Sequence, residues 1–518
     1  MNPTKLLVPL AMAITVSLVE PCRGQTTNGQ SSAERPNVLM ICIDDLNDWV
    51  EPLGGHPQVK TPAMAELASR GMNFRNAHCQ SPLCNSSRTS LMTSRRPSST
   101  GIYGLGPWFR NVDEFRNITT LPQHFARAGY ETYSAGKVYH GGYFQKTPEG
   151  IEVEFQHVGP PGRAGIGPPK KLVPPTPGGD HPLVDWGVFD HEESDKGDYQ
   201  VASWVVDQIG EMESSKPFFM ACGFFLPHVP CHTTPKYWDM YPDETLIMPP
   251  IDHVERSDCS PFSWYLHWEL PEPRLSWLED NNEHRNLVRA YLSCITFMDT
   301  QIARVLEALD QSPYADNTIV CLWSDHGWHL GEKNISGKNT LWERSTHVPL
   351  IFVGPGIESG VCEQPAELLD VFPTLADLAG LEVPAELEGV SLKPQVVDPS
   401  ESRRPAVTEH NPGNYAIRDQ RYRLIRYADG SEELYDMVAD PNEYSNIIDD
   451  SKHAEAASRL REFYIADPRP LAKASHSRIL EFKDGRWIWE GKAIDPTRPP
   501  MDIAPNTTAD LSLIGPAK

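Results

Sequence analysis

Short apolar runs, each ending in a polar cluster, constrain the fold of this chain more than any other feature. Residues 37–43 (NVLMICI), 217–225 (PFFMACGFF) and 318–323 (TIVCLW) are predicted to be buried β-strands, because they are short and almost wholly apolar. They alternate with amphipathic patterns at helical spacing, most clearly from His284 to Leu309. This alternation is typical of a large doubly wound mixed sheet sandwiched by helices, so the sequence predicts an α/β fold.

Further elements fill the intervals between these strands: helices at 61–70, 121–128 and 198–212, and a strand at 131–135. Residues 159–179 are rich in Pro and Gly, which predicts a long irregular surface loop. Residues 242–283 place Trp264, Trp268 and Trp277 among prolines, so they are interpreted as an irregular insertion. Two interpretations stay open there: a rim over a pocket, or aromatic packing beneath a loop.

The pattern changes after about residue 400. Residues 421–428 and 432–437 flank Asp429-Gly430, which predicts a hairpin with a two-residue turn, and 454–464 suits one amphipathic helix. The predicted organisation is therefore a large α/β domain at 35–395 followed by a smaller C-terminal α+β domain at 400–475, which carries an antiparallel sheet. Residues 476–518 are predicted to be an extended C-terminal tail.

The first 24 residues are typical of a secretory signal. Lys5 precedes the apolar run 6–19, and Cys22-Arg23-Gly24 offers a cleavage site with small residues. The run is too short for a transmembrane span, and no later run is long enough to cross a bilayer. The sequence thus predicts a signal peptide at 1–24 and a soluble protein exported to the periplasm or the extracellular space.

Charge and cysteine usage narrow the possible partners. The formal net charge of −24 disfavours nucleic acid and other large polyanions, although a small anionic substrate remains possible beside a local basic cluster. Three of the ten cysteines, Cys42, Cys222 and Cys321, lie inside the apolar runs and are predicted to be buried free thiols. A disulfide among the others, such as Cys231 with Cys259, is neither excluded nor assigned.

Two acidic clusters follow predicted strands. Asp44-Asp45 comes directly after the first strand, and Asp325-His326 follows the strand at 318–323. Ligands bind at the carboxyl edge of such sheets, where these side chains would repel one another unless a cation joined them. Hard oxygen ligands favour Ca²⁺ or Mg²⁺. A lone Asp-Asp pair would be interpreted as a helix cap or turn, but two such clusters favour a metal site.

The segment from Cys84 to Arg95 (CNSSRTSLMTSR) is predicted to be a loop that enters a helix. Ser86 or Ser87 can cap its first turn, and Arg88 lies one turn beyond Cys84. The free N–H groups of a helix start suit an oxyanion. A structural cysteine in a Ser-rich loop is the alternative interpretation.

Four basic residues also follow strand ends: Lys137, His140, His228 and Lys338. A lone Lys is usually a solvated surface charge, and a lone His is usually a hydrogen-bonded structural residue. Their shared placement at the inferred edge of the sheet makes them candidates for binding an anionic substrate.

These motifs resemble the type I sulfatase family. The Cys84 segment is similar to the family signature, and Lys137–His140, Ser324–Glu332 and Thr346–Leu350 look most like the iduronate-2-sulfatase branch. The resemblance implies that a formylglycine-generating enzyme oxidises Cys84 to formylglycine. The aldehyde hydrate has two oxygens on one carbon, so one can attack sulfur and the other can then expel sulfate.

The resemblance also implies a role for each candidate residue. One Ca²⁺ per chain would be bound by Asp44, Asp45, Asp325, His326 and the modified Cys84. Arg88 and Lys137 would orient and polarise the aldehyde hydrate, and His140 would help to eliminate sulfate. His228 and Lys338 would bind the ester and protonate or stabilise the leaving oxygen.

Three positions depart from the family pattern. Ser86 replaces the usual Pro or Ala of the signature, Ser94 occupies a usual Gly position, and Leu226 stands where iduronate sulfatases tend to carry a Lys. Ser86 affects the expected oxidation of Cys84 to formylglycine, and Leu226 affects the expected recognition of a uronate carboxylate.

The sequence therefore predicts an exported, Ca²⁺-dependent sulfatase that hydrolyses a sulfate ester on a sulfated carbohydrate or another small molecule. Two alternatives are kept. One is a phosphate or phosphonate ester hydrolase of the same superfamily, and the other is a catalytically silent relative that only binds glycans.

Overall fold

A central mixed sheet of eight strands organises the molecule, in the order β13-β2-β12-β9-β1-β7-β4-β5. Five adjacent strands, β9-β1-β7-β4-β5, are mutually parallel, whereas β12 runs antiparallel to both β9 and β2. The strands of the computed structural model, in chain order, are β1 (Asn37–Asp44), β2 (Met72–Phe74), β3 (Ala77–His78), β4 (Glu131–Gly136), β5 (His157–Pro161), β6 (Trp186–Val188), β7 (Phe218–Pro227), β8 (Cys231–Thr233), β9 (Thr318–Ser324), β10 (His329–Leu330), β11 (Ser336–Gly337), β12 (Leu350–Val353), β13 (Gly360–Cys362), β14 (Ala366–Glu367), β15 (Ala406–Glu409), β16 (Tyr415–Arg418), β17 (Tyr422–Arg426), β18 (Glu432–Asp436), β19 (Leu480–Lys483), β20 (Arg486–Trp489) and β21 (Lys492–Ala493).

Helices cover both faces of this sheet. In chain order, the helices of the described residues are α1 (Pro62–Ser69), α2 (Cys84–Thr93), α3 (Pro97–Thr100), α4 (Leu121–Arg127), α5 (Gly197–Glu211), α6 (Pro235–Trp238), α7 (Leu275–Asp280), α8 (His284–Asp310), α9 (Glu343–Thr346), α10 (Val371–Leu378), α11 (Lys393–Val397) and α12 (Ala454–Arg461), of which α12 packs on the smaller C-terminal sheet. Every helix and strand predicted in the large domain is present, with ends within two residues of the prediction. The doubly wound α/β fold is confirmed.

Strand β1 shows why the apolar runs lack an alternating pattern. Its side chains point alternately into two hydrophobic cores: Leu39, Ile41 and Ile43 into one, and Val38, Met40 and Cys42 into the other. The first core also holds α1, α5 and α8, and the second holds α2, α4 and α10. A strand buried on both faces must be apolar at every position, so its polar residues are displaced to its end.

The structure describes residues 1, 35–141, 147–176, 179–212, 216–268 and 270–500. The predicted signal peptide, apart from Met1, lies outside the described residues, as do the last 18 residues of the predicted tail. Within the described ranges, no helix is long and apolar enough to span a membrane.

The smaller C-terminal sheet has the antiparallel order β15-β16-β17-β18, and its β17–β18 hairpin confirms the hairpin predicted around Asp429-Gly430. The predicted two-residue turn is wrong, because the five residues 427–431 join the two strands. The prediction of an extended tail from 476 is wrong for residues 480–493, which form the antiparallel sheet β19–β21. Asp484 and Gly485 both have positive φ (52° and 76°) and form a two-residue hairpin turn. Trp489 of this sheet is fully buried and donates from Nε1 to the carbonyl of Trp268 at 2.7 Å.

Two loop predictions are refined by the structure. The predicted loop at 159–179 begins inside the edge strand β5, so its first three residues are regular. In the insertion at 242–283, Trp264, Trp268 and Trp277 are buried, and the guanidinium of Arg256 stacks 3.4 Å from the ring of Trp264. The aromatic residues therefore pack beneath the loop.

Candidate active site

The carboxyl ends of four adjacent parallel strands meet at one edge of the sheet. Strand β1 ends at Asp44-Asp45, β9 leads into Asp325-His326, β7 into His228, and β4 into Lys137. The register fixes their relative heights, since Ile43 pairs with Ser324 on one side and with Phe224 on the other. The predicted convergence of the two acidic clusters at a single sheet edge is confirmed.

Helix α2 places Cys84 at the centre of this edge. The helix begins at Cys84 itself, with Leu83 in extended conformation as its N-cap, so the prediction that Ser86 or Ser87 caps it is wrong. The Ser86 hydroxyl donates to Ser81 Oγ at 2.6 Å, and the Ser87 hydroxyl donates to the carbonyl of Asp325 at 2.6 Å. Cys84 is thus the first residue of the helix, where backbone N–H groups point toward an anion.

Cationic side chains surround the sulfur of Cys84. Its Sγ lies 3.1 Å from Lys338 Nζ, 3.3 Å from His326 Nε2 and 3.8 Å from Lys137 Nζ. Burial alone would raise the pKa of Cys84, but Lys137, Lys338 and His326 hold it well below its usual range. The position at the head of α2 therefore favours a negatively charged group.

Arg88 reaches across the site from the next turn of α2. Its Nε donates to Asp325 Oδ2 at 2.7 Å and one Nη donates to Asp44 Oδ1 at 3.1 Å. The guanidinium also donates to the backbone carbonyls of Lys137 and Val138. Arg88 is fully buried and holds the ends of β1, β4 and β9 together.

Asp45 has an unusual backbone conformation, with φ of 60°. The left-handed region is costly for a residue with a side chain, about 1–3 kcal/mol. Its amide N–H donates to Asp325 Oδ1 at 3.1 Å, and Tyr291 of α8 donates its hydroxyl to the Asp45 carbonyl at 2.7 Å. The same hydroxyl accepts from the Asn47 amide at 3.1 Å. This framework turns the Asp45 carboxylate toward Cys84.

The acidic side chains form a set of donors that fits a divalent cation. Ligand atoms of Asp44, Asp45, Cys84 and His228 lie within 4.8 Å of one another, as do those of Cys84, Asp325 and His326. Asp45 Oδ2 is buried and has no hydrogen-bond partner among the described residues. The five predicted metal ligands are therefore brought together, with His228 beside them. Hard carboxylate oxygens in this number fit Ca²⁺.

Lysines neutralise part of this acidic set. Lys137 Nζ donates to Asp44 Oδ2, and Lys338 Nζ donates to Asp45 Oδ1 at 2.7 Å. Burial would raise the pKa of Asp44, but Lys137 in particular, with His228 and Arg88, holds it below its usual range. Burial would lower the pKa of His326, but Asp325 above all raises it to about 9. The site is thus an interlocked network of opposite charges.

A cavity of about 310 Å³ opens beside this network. Lys137, His140 and His228 line it, together with Tyr139, Phe225 and the backbone of Gly136 and Gly162. His140 hydrogen-bonds to Cys84, and burial lowers the pKa of His140, which favours its neutral form. His228 Nε2 lies 3.8 Å from Asp45 Oδ2. All four basic residues predicted from the sequence are therefore at the site.

Two departures from the family pattern have clear structural settings. Ser94 ends α2 in the left-handed conformation (φ 49°), and its hydroxyl donates to the Leu369 carbonyl at 2.8 Å while accepting from the Gly389 amide at 3.1 Å. Leu226 is 1% exposed and belongs to the core, so it does not present a side chain to the cavity.

Tyr291 and Ser87 are site residues that the sequence analysis missed as such. Tyr291 falls on the apolar stripe of α8 and is 1% exposed, so its spacing predicts only a core residue. No local sequence signal distinguishes a core tyrosine from one whose hydroxyl supports a distant loop.

The chain is similar in sequence to known sulfatases. A family model described as Sulfatase matches residues 36–381, and one described as N-sulphoglucosamine sulphohydrolase, C-terminal, matches residues 331–466. A protein named Sulfatase from Formosa agariphila is 37% identical over 451 residues, covering 83% of this chain and 87% of its own. Iduronate 2-sulfatase from Homo sapiens is 31% identical over 422 residues, covering 72% of this chain and 74% of its own.

A solved structure is also similar to this chain. A 2-O GAG sulfatase superimposes with a TM-score of 0.61 at 25% identity, covering 83% of this chain and 91% of that chain. The similarity therefore extends over most of this chain.

Proposed function

Since this chain belongs to the sulfatase family, we propose that it is an exported, Ca²⁺-dependent sulfatase acting through formylglycine at position 84. Members of this family hydrolyse sulfate esters. The site supports this proposal chiefly through one observation: residue 84 stands at the head of α2, within 3.1–3.8 Å of Lys338, His326 and Lys137. Three cations around one side chain suit a reaction in which negative charge gathers there.

Formylglycine would supply an aldehyde whose hydrate attacks sulfur and later releases sulfate, and Ca²⁺ would bind the acidic ligands and polarise the sulfate oxygens. Position 84 adjoins the acidic ligands, with the Cys84 sulfur 3.9 Å from Asp45 Oδ1. Asp44, Asp45, Asp325 and His326 would hold the ion, with Arg88 fixing two of the carboxylates in place. Each of these residues is fully buried.

The remaining basic residues would bind the sulfate group or transfer protons. Lys137 and Lys338 keep their charge beside Asp44 and Asp45, so they suit binding of the sulfate oxygens. His140 favours the neutral form and hydrogen-bonds to residue 84, which suits a base that removes a proton there. His228 also lines the cavity and suits a general acid that protonates the leaving oxygen.

The substrate we propose is a sulfated carbohydrate, since motifs of this chain are similar to those of the iduronate-2-sulfatase branch. A human relative bears that name, and a similar structure is described as a 2-O GAG sulfatase. The cavity of about 310 Å³ is large enough for one sugar unit. Export is proposed from the N-terminal pattern of Lys5 followed by the apolar run 6–19.

Sulfate release from defined substrates tests the proposal. Protein produced together with a formylglycine-generating enzyme should release sulfate from an aryl sulfate and from at least one sulfated oligosaccharide in a panel of glycosaminoglycan and algal fragments. Cys84→Ala should abolish release. Cys79→Ala is the matched control, because Cys79 is equally buried and its thiol donates to the Ser345 carbonyl at 3.8 Å. This variant should stay active.

The same assay separates the alternatives. Faster hydrolysis of an aryl phosphate or phosphonate than of the aryl sulfate would contradict the proposal and favour a phosphate or phosphonate ester hydrolase. Binding of sulfated oligosaccharides without any release, in protein whose residue 84 is converted, would instead indicate a silent glycan-binding relative.

A further inference from the structure

A bulge interrupts β7 just before His228. Ile43 and Asp44 are consecutive on β1, but their partners on β7 are three residues apart. Phe225 and Leu226, which lie between those partners, therefore have no partner on β1, and the pairing of β7 with β4 ends before them. Both residues are buried, so their backbone N–H groups need acceptors from elsewhere in the fold.

The carboxylate of Asp198 supplies these acceptors. Its Oδ1 accepts from the Phe225 amide at 2.7 Å, and its Oδ2 accepts from the Leu226 amide at 2.9 Å. Asp198 is the second residue of α5 and is 1% exposed. Lys196, just before that helix, is also buried, and its Nζ donates to the His232 carbonyl at 3.0 Å. The start of α5 thus holds both the end of β7 and the strand β8 that follows it.

The bulge determines where two cavity residues lie. The Phe225 carbonyl accepts from the His228 amide at 3.0 Å, and the two rings are 4.8 Å apart. The Phe225 ring also lies 5.4 Å from Lys137 Nζ. Phe225 and His228 both line the cavity, and a ring nitrogen of His228 lies within 4.8 Å of the Cys84 sulfur. A shift of the bulge would therefore move His228 relative to residue 84.

We propose that Asp198 is a positioning residue, whose carboxylate holds the bulge so that His228 can donate a proton to the leaving oxygen as its bond to sulfur breaks. The inference rests on the proposed function, in which His228 is the general acid. A carboxylate that accepts from two adjacent amides fixes both the position and the tilt of the bulge. Since Asp198 is buried and bonds to the backbone of β7, it acts through His228 and not on the substrate.

Aryl sulfates with different leaving groups test the inference. Para-nitrophenyl sulfate releases a stable phenolate that needs no proton, whereas phenyl sulfate releases a more basic oxygen that benefits from a general acid. Asp198→Ala should lower kcat/KM for phenyl sulfate by about 10–100-fold, and for para-nitrophenyl sulfate by less than about 3-fold. His228→Ala should show the same selectivity, and the double variant D198A/H228A should lose no more than H228A, because the two residues act as one unit.

Asp299→Ala is the matched control. Asp299 is 2% exposed and likewise accepts from two adjacent amides, those of Ala63 and Met64, both at 3.0 Å, but these lie at the start of α1. D299A should lower the free energy of unfolding by the same mechanism and leave the ratio of the two kcat/KM values unchanged. Asp198→Asn keeps one acceptor oxygen and should show a smaller selective loss, and it carries the comparison if D198A does not fold.

Hydrogen exchange examines the bulge without any need for activity. Residue-resolved exchange measured by mass spectrometry should be faster at the two bulge amides in D198A, and at the two amides of α1 in D299A. Protected bulge amides in D198A would overturn the inference, as would equal losses on both aryl sulfates or the same change of ratio in D299A. A wild-type protein that releases no sulfate from either ester refutes the proposed function instead, and the exchange measurement still decides whether Asp198 holds the bulge.

Discussion

Replacing Tyr291 with Phe tests whether α8 positions Asp45, a proposed metal ligand. The change removes one hydroxyl that donates to the Asp45 carbonyl at 2.7 Å and accepts from the Asn47 amide at 3.1 Å. Two buried backbone groups lose their partner, and each unsatisfied group costs about 1–3 kcal/mol. The total is about 2–6 kcal/mol before the loop relaxes, and Asp45 is already in a strained conformation at φ 60°.

Part of this cost should appear as weaker binding of the cation. If about 1.4–2.8 kcal/mol falls on the ligand geometry, the Kd for Ca²⁺ rises about 10–100-fold, the usual range for loss of a residue that supports a metal ligand. The rest should appear as a lower free energy of unfolding. Calorimetric titration of Ca²⁺ into chelator-treated protein gives the first quantity, and urea unfolding gives the second.

Tyr241→Phe is the matched control. Tyr241 is also buried against α8, and its hydroxyl accepts from the Lys60 amide at 3.2 Å and shares a hydrogen bond with Thr296 Oγ1 at 2.6 Å. It touches none of the proposed metal ligands, so Y241F should lower stability but leave the Kd for Ca²⁺ unchanged. Equal Ca²⁺ affinities for the two variants would refute the positioning role of Tyr291.

Three further predictions concern charge. Arg88→Met leaves the buried Asp44 and Asp325 without their shared partner, so the free energy of unfolding, measured by urea unfolding, should fall by about 3–5 kcal/mol. The control Arg127→Met changes an exposed residue and should alter that free energy by less than about 1 kcal/mol. Similar losses for the two variants would contradict the argument. Chelation should lower the midpoint of thermal unfolding, and added Ca²⁺ should restore it. The free energy of unfolding should rise by about 2.7 kcal/mol at a free Ca²⁺ concentration 100 times the Kd. An unchanged midpoint would count against a bound cation. Burial lowers the pKa of His410 to about 4, so below pH 6.5 the unfolded chain takes up a proton that the folded protein does not. About 3 kcal/mol of stability should be lost as the pH falls from 6.5 to 4. In His410→Gln, the free energy of unfolding, measured in urea, should fall less steeply with pH over this range. An equal dependence on pH in the variant and the wild-type protein would refute this prediction.

The central sheet and the composition of the site could be predicted because both depend on local patterns. A strand buried on both faces must be apolar throughout, so the first polar residues after β1 and β9 mark their carboxyl ends. Parallel strands share that edge, which brings Asp44 and Asp325 together without further information. The resemblance around Cys84 then indicated which basic residues join them.

The remaining features depend on contacts between distant parts of the chain. Tyr291 has the apolar spacing of a core residue, and only the fold reveals that its hydroxyl supports Asp45, far away in the sequence. The start of α2 was misplaced because Ser86 and Ser87 are good capping residues, yet their hydroxyls bond to Ser81 and to the Asp325 carbonyl. The β19–β20 hairpin did have a local signal, Asp484-Gly485 between two segments that contain aromatic residues, which the prediction of an extended tail overlooked.

The chemical state of residue 84 is the most direct test of the proposed mechanism. Protein purified from its natural host, or produced together with a formylglycine-generating enzyme, is digested without alkylation and the peptide containing residue 84 is analysed by mass spectrometry. We expect formylglycine, seen as the mass of the aldehyde or its hydrate and as adduct formation with a hydrazide reagent. A free thiol at residue 84 in protein that releases sulfate would contradict the mechanism.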